Sequence, residues 1–434
     1  MIHLKKAQPT PPSVTQEIRD TVSKVLLEVE RDGIKAVRKY SEQFDGWNPP
    51  SFLLTEAQIK SGLEGVTDDF AASINFALEQ VRAFARAQRA TMHELEVETL
   101  PGVTLGHKLL PVNSVGAYVP GGRYPLIASA IMTIAVPKIA GVGRVVTTTP
   151  PQRSTGKINP AQLYAMVQSG ADQIYAIGGV QAMAAMAFGL EPDGLMGAEM
   201  TGSPLEGVDM IVGAGNAFVA EAKRQLFGVV GIDLLAGPTE ICVLADEHAD
   251  PCLIAADLLG QAEHGINSPA VLVTTSKDLG ETVIREVDRW LETWPTAAVA
   301  GEAWRTLGEV ILVEDDQEML RVSDSIASEH LEVQTQNPNW FLERLTNYGS
   351  LFLGRNATVV YGDKGIGTNH VLPTARASRY TGGLWVGKFI KTVTYQRVTD
   401  AGNRLVAPHI ATVADAEGMA GHAITARLRL GELD

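Results

Sequence analysis

Apolar residues recur three and four apart through "EIRDTVSKVLLEVERDGIKAVRKYSEQF" and again through "FAASINFALEQVRAFARAQ", the spacing of one buried face on an α-helix. The stretch from about residue 14 to 95 is therefore expected to be helical. Beyond it the pattern changes. Short β-branched runs alternate with helical ones: "RVVTTTPP" precedes "AQLYAMVQSG", "QIYAIGG" precedes "VQAMAAMAFG", and "VDMIVGAG" precedes "NAFVAEAKRQLFG". The alternation continues with "EICVLAD" before "DPCLIAADLLGQAEHG", "AVLVTTS" before "ETVIREVDRWLETW", and "EVILVED" before "QEMLRVSDSIASEH". Repeated strand-then-helix units predict right-handed crossovers and parallel sheet, so the expected fold class is α/β. The last fifty residues return to a helical pattern in "VADAEGMAGHAITARLRLGELD".

Several predicted strands end in glycine just before a helix, where open parallel sheets hold their ligands. "GGVQA" and "GAGNAF" are two such ends. Neither completes G-x-G-x-x-G and no acidic residue follows at the expected spacing, so tight strand-to-helix turns explain them equally well. A chain of 434 residues, 45% hydrophobic and 20% charged, has the profile of a globular protein of two or more lobes. Its net charge of −14 argues against nucleic acid and anionic membrane as partners. Cys242 and Cys252 sit in apolar surroundings without a CxxC and read as small hydrophobes in a reducing compartment. "MIHLKKAQPTPPS" lacks the apolar core of a signal peptide, and Pro137 and Lys138 interrupt "LIASAIMTIAVPKIAGV" before it could span a bilayer. The cytoplasm is the expected location.

The chemistry-bearing residues come in small groups. In "DLLGQAEHG", Gln261 and His264 lie three apart on one helix face, either the last turn of an ordinary helix or half of a metal site. "SEHLEV" sets Glu329 beside His330 at a predicted helix-to-strand turn. "YGDKGIGTNHVLPT" carries Asp363, Asn369 and His370 in a glycine-rich loop, and "AEGMAGHAITAR" puts Glu417 and His422 on a C-terminal helix. Taken one by one, each is better explained by solvated charge, turn chemistry or helix capping. H-E-x-x-H and G-x-x-x-x-G-K-[ST] are both absent, which leaves zinc peptidases and P-loop nucleotide triphosphatases without support. No cysteine looks exposed enough to be a nucleophile, so an aldehyde oxidised here would be attacked by water.

Taken together, "VGAYVPGGRYPLIASA", "GAGNAFVAEAKRQ", "AGPTE", "DLLGQAEHG", "SEHLEV", "GTNHVLPT" and "AEGMAGH" resemble, in order and over roughly residues 20 to 425, the histidinol dehydrogenase family. The resemblance implies one zinc ion held by Gln261, His264, Asp363 and His422. It makes His330 the base that removes the alcohol proton while hydride passes to NAD, and Glu329 the group that activates water for attack on the aldehyde. Tyr118, Gln181 and Asn216 match the family's NAD contacts, and Thr239, His370 and Glu417 its substrate contacts. It further implies two Rossmann-like lobes in a domain-swapped homodimer, with Glu417 and His422 supplied by the partner subunit. The boundaries drawn from it are an N-terminal arm at 1–25, a first lobe from 26–117 and 240–381 carrying the metal and catalytic residues, a second lobe at 118–239 carrying the NAD contacts, and a dimerisation tail at 382–434.

The chain departs from the family pattern at its substrate side. Residues 374–397, "TARASRYTGGLWVGKFIKTVTYQR", contain Arg376, Arg379, Lys388, Lys391 and Arg397 and no acidic residue. A site beside this much positive charge should prefer an anion, with Arg376 and Arg379 as candidate contacts; a solvated basic face is the plainer alternative. "RYTGGLWVGKFIKT" resembles the branch of the family acting on sulfopropanediol, and Thr239 stands where the family's "GPSE" has Ser. The expected reaction is oxidation of 2,3-dihydroxypropane-1-sulfonate to sulfolactate, with L-histidinol as the alternative substrate and a zinc hydrolase as a distant alternative. An extra stretch, "LEPDGLMGAEMTGSPLEG", precedes "VDMIVGAGN".

Overall fold

The computed structural model describes residues 1–9, 14–121, 124–191 and 205–431; most of the extra stretch noted above lies outside the described residues. Two parallel sheets organise the chain. In one, the strands run in the order Gln173–Tyr175, Arg144–Thr148, Ser114–Tyr118, Met210–Val212, Gly231–Ile232, all parallel. In the other, five parallel strands are ordered Gly308–Leu312, Ala270–Thr274, Ile241–Ala245, His330–Gln334, Ser350–Leu353, and strand Ile2–Lys5 adds antiparallel at the edge. In each, the first parallel strand of the chain lies in the middle, the next two add to one side and the last two to the other, the doubly wound arrangement of a Rossmann-like half. The α/β expectation and every strand-helix pair quoted above are present in the structure.

The local reasons are readable in the elements themselves. Strand Ile241–Ala245 is buried along its whole length, as a central parallel strand covered on both faces must be. Helix Pro251–Ala262 starts with proline in its first turn and with the Asp250 carboxylate accepting from Cys252 N, two devices that satisfy or remove orphan N–H groups. Asn216 caps helix Ala217–Leu226 in the same way, accepting from Phe218 N and Val219 N.

The packing corrects the sequence boundaries. Within residues 26–117, the leading helices and strand Ser114–Tyr118 belong with the five-stranded sheet rather than with 240–381. Helices Gln16–Asp32 and Ile34–Asp45 lie on Gly179–Phe188, and Asp68–Ala90 lies on Ile127–Ala140. Their apolar faces, Val22, Val25 and Val37 on one side and Ile74, Leu78 and Val81 on the other, enter the cores of that lobe. Strand Ser114–Tyr118 is its central strand. The N-terminal arm is divided between the lobes, strand Ile2–Lys5 going to the six-stranded sheet.

A separate three-stranded sheet was not expected. Strands Leu95–Leu100 and Val103–Pro111 form an antiparallel hairpin, and Ile390–Val398 joins it as a third strand. The tail then ends in two helices, Asp400–Ala416 and Ala420–Leu428, packed on each other through Ala407, Ala411, Ala414, Ala423 and Ala426. Among the described residues, no helix is long and apolar enough to cross a membrane.

Candidate active site

The six-stranded sheet presents its functional residues at the amino ends of its strands. Thr239 and Glu240 immediately precede Ile241–Ala245, and Glu329 precedes His330–Gln334, whose first residue is His330. Helix Pro251–Ala262 runs back to the same edge, bringing Gln261 in its last turn and His264 just past its end. Asp363 arrives on a short helix, Val359–Lys364, not in the glycine-rich loop where the sequence pattern put it. His370 follows in that loop, and its ring crosses to the other lobe: Nδ1–H donates to the Asp363 carbonyl at 2.9 Å, and Nε2 accepts from the Ser129 hydroxyl at 2.8 Å. The site therefore lies between the lobes.

Glu329 and His330 are both buried. His330 Nδ1–H donates to the Glu240 carbonyl at 3.1 Å, which leaves Nε2 as the working nitrogen. Nε2 has no hydrogen-bond partner and stands 3.4 Å from Asp363 Oδ1. Asp363 Oδ2 lies 3.9 Å from His264 Nε2. Glu329 Oε2 accepts from the Thr239 hydroxyl at 2.5 Å and from Glu240 N at 3.1 Å. Gln261 donates through Nε2 to that same hydroxyl, so Thr239 links the metal-side amide to the carboxylate.

The electrostatics follow from burial and proximity. Burial pushes Glu329 up to about 7 against the opposing pull of His330, the Thr239 hydroxyl and Glu240 N. For His330 burial disfavours the charged ring, but the facing carboxylates of Glu329 and Asp363 outweigh it and push it up to about 9. Burial would raise Asp363 as well; its contact with His330, with His370 and Lys364 nearby, holds it instead well below the usual carboxylate range. Asp363 thus stays an anion in a place that calls for a positive partner.

A divalent cation fits this donor set. Gln261 has its nitrogen turned to Thr239 and His330, leaving its oxygen as the donor, and His264 and Asp363 supply a nitrogen and a carboxylate close to each other, ligand types that zinc accepts. Glu417 and His422 are not brought to this cluster within the chain. They are exposed on the C-terminal pair of helices, Glu417 closing the first and His422 in the second, where the sequence pattern put both on one helix.

The residues expected to contact NAD lie at the carboxyl edge of the five-stranded sheet. Tyr118 ends its central strand, buried, its hydroxyl accepting from Gly179 N at 3.3 Å. Gln181 is fully buried, donates to Asp45 Oδ2 at 3.0 Å, and keeps Oε1 without a partner. Between the strand ending at Tyr118 and the strand ending at Val212 the sheet order reverses, the place where such sheets take a dinucleotide. Gly213 lines that crevice with φ +121°, and a Cβ there would collide with the Tyr118 carbonyl. Below it, Lys223 Nζ donates to Gly213 O at 2.9 Å and Gly213 N donates to Asp233 Oδ2 at 2.7 Å, within a fully buried Lys223–Asp233 pair.

The basic segment divides. Arg397 lies on strand Ile390–Val398 with Glu96, at 3.8 Å, and is structural. Arg376 and Arg379 are exposed on a turn that Ala375 N ties to Glu240 Oε1 at 3.2 Å and Thr374 Oγ1 ties to Gly237 N at 2.5 Å. Among the described residues, the non-glycine positions with positive φ are Ala327, Ala375 and Arg376. The first closes the helix just before Glu329, the others form this turn, and Ser378 Oγ donates to Ala327 O at 2.6 Å to join them. Backbone of this kind is held at a cost of order 1–3 kcal/mol per residue and concentrates at functional sites. Glu240, Ser129 and Asp45 were missed in the sequence; Glu240 lies within the quoted "AGPTE", whereas Ser129 and Asp45 are distant along the chain from the partners they meet.

Two Rossmann-like lobes meeting over a buried His–carboxylate cluster define a two-lobe α/β oxidoreductase. A profile of the histidinol dehydrogenase family matches residues 9–430, and the chain belongs to that family. It is 52% identical over 414 residues to a histidinol dehydrogenase homolog of Shouchella clausii, covering 95% of this chain and 94% of that one. It is 46% identical over 432 residues to the sulfopropanediol 3-dehydrogenase of Ruegeria pomeroyi, covering 99% and 96%. The crystal structure of histidinol dehydrogenase from Elizabethkingia anophelis superposes with a TM-score of 0.90 at 31% identity, covering 98% of this chain and 94% of that one. Family members are NAD-dependent dehydrogenases of CH–OH groups, and so is this chain. A zinc hydrolase, weighed from the sequence, is set aside by this membership.

Proposed function

We propose that the protein is a zinc-dependent, NAD-linked enzyme that takes a small anionic primary alcohol through the aldehyde to the carboxylate. Four electrons pass to two NAD, and the substrate is 2,3-dihydroxypropane-1-sulfonate. Gln261, His264 and Asp363 hold the metal, with His422 of the partner subunit as the fourth ligand. When bound, zinc supplies a Lewis acid for the reacting oxygen and a positive charge beside Asp363; NAD supplies the hydride acceptor.

The residues divide the proton work. With Nδ1–H fixed on the Glu240 carbonyl, His330 takes the alcohol proton at Nε2; a cation held by Asp363 would offset the negative charge that otherwise keeps the ring protonated. Glu329, raised towards neutrality by burial, takes a proton from the water that attacks the aldehyde, while the Thr239 hydroxyl and Glu240 N hold its carboxylate in place. His330 then serves again for the second hydride transfer. Thr239, His370 and Glu417 of the partner subunit position the substrate.

The choice of substrate is carried by the turn at 374–379: it is strained, tied to Glu240, and presents Arg376 and Arg379 with no carboxylate between them. The printed activity of the Ruegeria pomeroyi relative supports it. The unpaired cysteines, Cys242 buried, support a cytoplasmic home. The deciding experiment counts NADH formed per molecule consumed, offering sulfopropanediol and L-histidinol separately to zinc-loaded protein. Two NADH per sulfopropanediol, with little from L-histidinol, is the expected result. Turnover of L-histidinol alone would reduce the basic turn to structure. Arg376→Ser is expected to raise KM for the sulfonate about tenfold or more, the loss of one charge-assisted pair, with NAD KM unchanged.

A further inference from the structure

Deeper in the same lobe lies a group of buried polar side chains that the mechanism leaves unused. Asp257 is one helical turn before Gln261, and Glu332 is two residues after His330, so each shares a face with the site residue of its own element. Glu332 is fully buried. Its Oε1 accepts from Val359 N at 3.1 Å and its Oε2 from Gln334 Nε2 at 3.0 Å. The same Gln334 nitrogen donates to Asp257 Oδ2 at 3.2 Å, and Thr358 Oγ1 donates to Asp257 Oδ1 at 3.0 Å. Two carboxylates are thus drawn onto one amide, with no cation among the influences on either. Two anions that close in a low-dielectric interior do not both keep their charge.

The elements that meet here are the ones that build the metal cluster: helix Pro251–Ala262 with Gln261 and His264, strand His330–Gln334 with Glu329 and His330, and the start of Val359–Lys364 with Asp363. We propose that Asp257 and Glu332 share one proton and act as positioning residues for the metal ligands, fixing the helix that carries Gln261 and His264 against the helix that carries Asp363. This rests on the zinc reading of the cluster. Burial raises both acids, and with Asp257 beside it Glu332 is pushed up to about 8, in agreement with a proton held between them at neutral pH.

Zinc affinity of the full-length protein, measured by competition with a chromogenic chelator well below the unfolding temperature, tests this. Glu332→Leu is expected to weaken zinc by about 10–100-fold, the usual effect of removing an outer partner of a metal site. Glu332→Gln keeps an acceptor for Val359 N and replaces the shared proton with an amide hydrogen, so it should stay within about threefold of wild type. Val283→Ala, a cavity in the core of the same lobe, lowers stability without touching the pair and should leave zinc affinity unchanged. Unchanged affinity in Glu332→Leu, or a loss in Val283→Ala equal to that in Glu332→Leu, overturns the positioning role. Glu332→Gln as weak as Glu332→Leu overturns the shared proton. A wild type that takes up no zinc overturns the reading of the cluster itself, and this inference with it.

Should Glu332→Leu fail to fold, wild type against Glu332→Gln across alkaline pH keeps the test. Asp257 and Glu332 are the titratable groups facing each other here, since Gln334 and Thr358 do not titrate. Wild type is expected to lose zinc affinity relative to Glu332→Gln as pH rises through about 8; parallel profiles overturn the proposal.

Discussion

His330 has its two nitrogens assigned by what surrounds them: a carbonyl takes Nδ1–H, and Nε2, buried, makes no hydrogen bond and faces Asp363 Oδ1 at 3.4 Å. Unpaired buried polar atoms are uncommon and need a reason, and a base waiting for a hydroxyl proton is one. His330→Asn is expected to lower NADH formation by about 10²–10⁴-fold, the range for removing a general base, with zinc content unchanged. Retained activity would remove His330 from the mechanism. Glu329→Gln should slow oxidation of added aldehyde far more than the alcohol step, compared in single-turnover traces; equal losses would argue against water activation. The residues named in the sequence motifs are largely those found together here, because each motif brings its own chemistry. Glu240 and Ser129 were not legible, since Glu240 meets His330, Glu329 and the turn at Ala375 only in the folded chain, partly through its backbone, and Ser129 meets His370 only when the lobes pack.

At the scale of elements, the site sits at the unexpected edge. The strand-end rule points to the carboxyl edge of each parallel sheet, and the residues proposed to contact NAD lie at that edge of theirs. The catalytic cluster uses the amino edge of the other sheet. Its carboxyl edge is acidic instead, with Asp246, Glu247 and His248 grouped there and Asp316 raised by burial and by Asp246, Asp315 and Glu247, a setting that repels a pyrophosphate. The crevice of the NAD lobe depends on a buried ion pair. Lys223→Met leaves Asp233 charged and unpaired and is expected to destabilise by about 3–5 kcal/mol, read as a lower denaturation midpoint.

The Asp257–Glu332 pair also gives stability a pH dependence whose sign is fixed. A carboxyl group raised on folding binds its proton more tightly in the folded state. Its contribution is complete below the ordinary value of 4.5 and is lost as pH rises through about 8. The melting temperature of the metal-free protein should therefore fall across that interval, and Glu332→Gln should flatten the fall. An identical slope in both proteins would refute the linkage.

At the scale of the whole molecule, a single chain brings together Gln261, His264 and Asp363, the proposed metal donors, and leaves Glu417 and His422 on an outlying pair of helices. That pair exposes Leu405, Ile410, Val413, Met419 and Ile424, apolar surface of the kind that marks an interface. If each site draws on two subunits, two inactive variants should rescue each other. Mixing unfolded His330→Asn and His422→Ala protein and refolding them together is expected to restore about a quarter of wild-type activity, since half the dimers are mixed and each has one intact site. No recovery would place both residues in one chain's site, or outside it.

The sequence alone determined the periodicities, and with them the alternating strands and helices, the parallel sheets, and the short-range groupings: Gln261 with His264, Glu329 with His330. These are set by spacing along the chain, which backbone geometry converts directly into shared faces. The tertiary structure decided which lobe the leading helices join, that the hairpin at 95–111 is completed by a strand from residue 390 onward, and which sheet edge carries the chemistry. It also decided that Glu332 meets Asp257 and that the turn at 375–376 reaches Glu240. All of these are contacts between residues far apart in the chain, settled by which apolar faces bury each other and which buried polar groups find partners, and no local pattern encodes them.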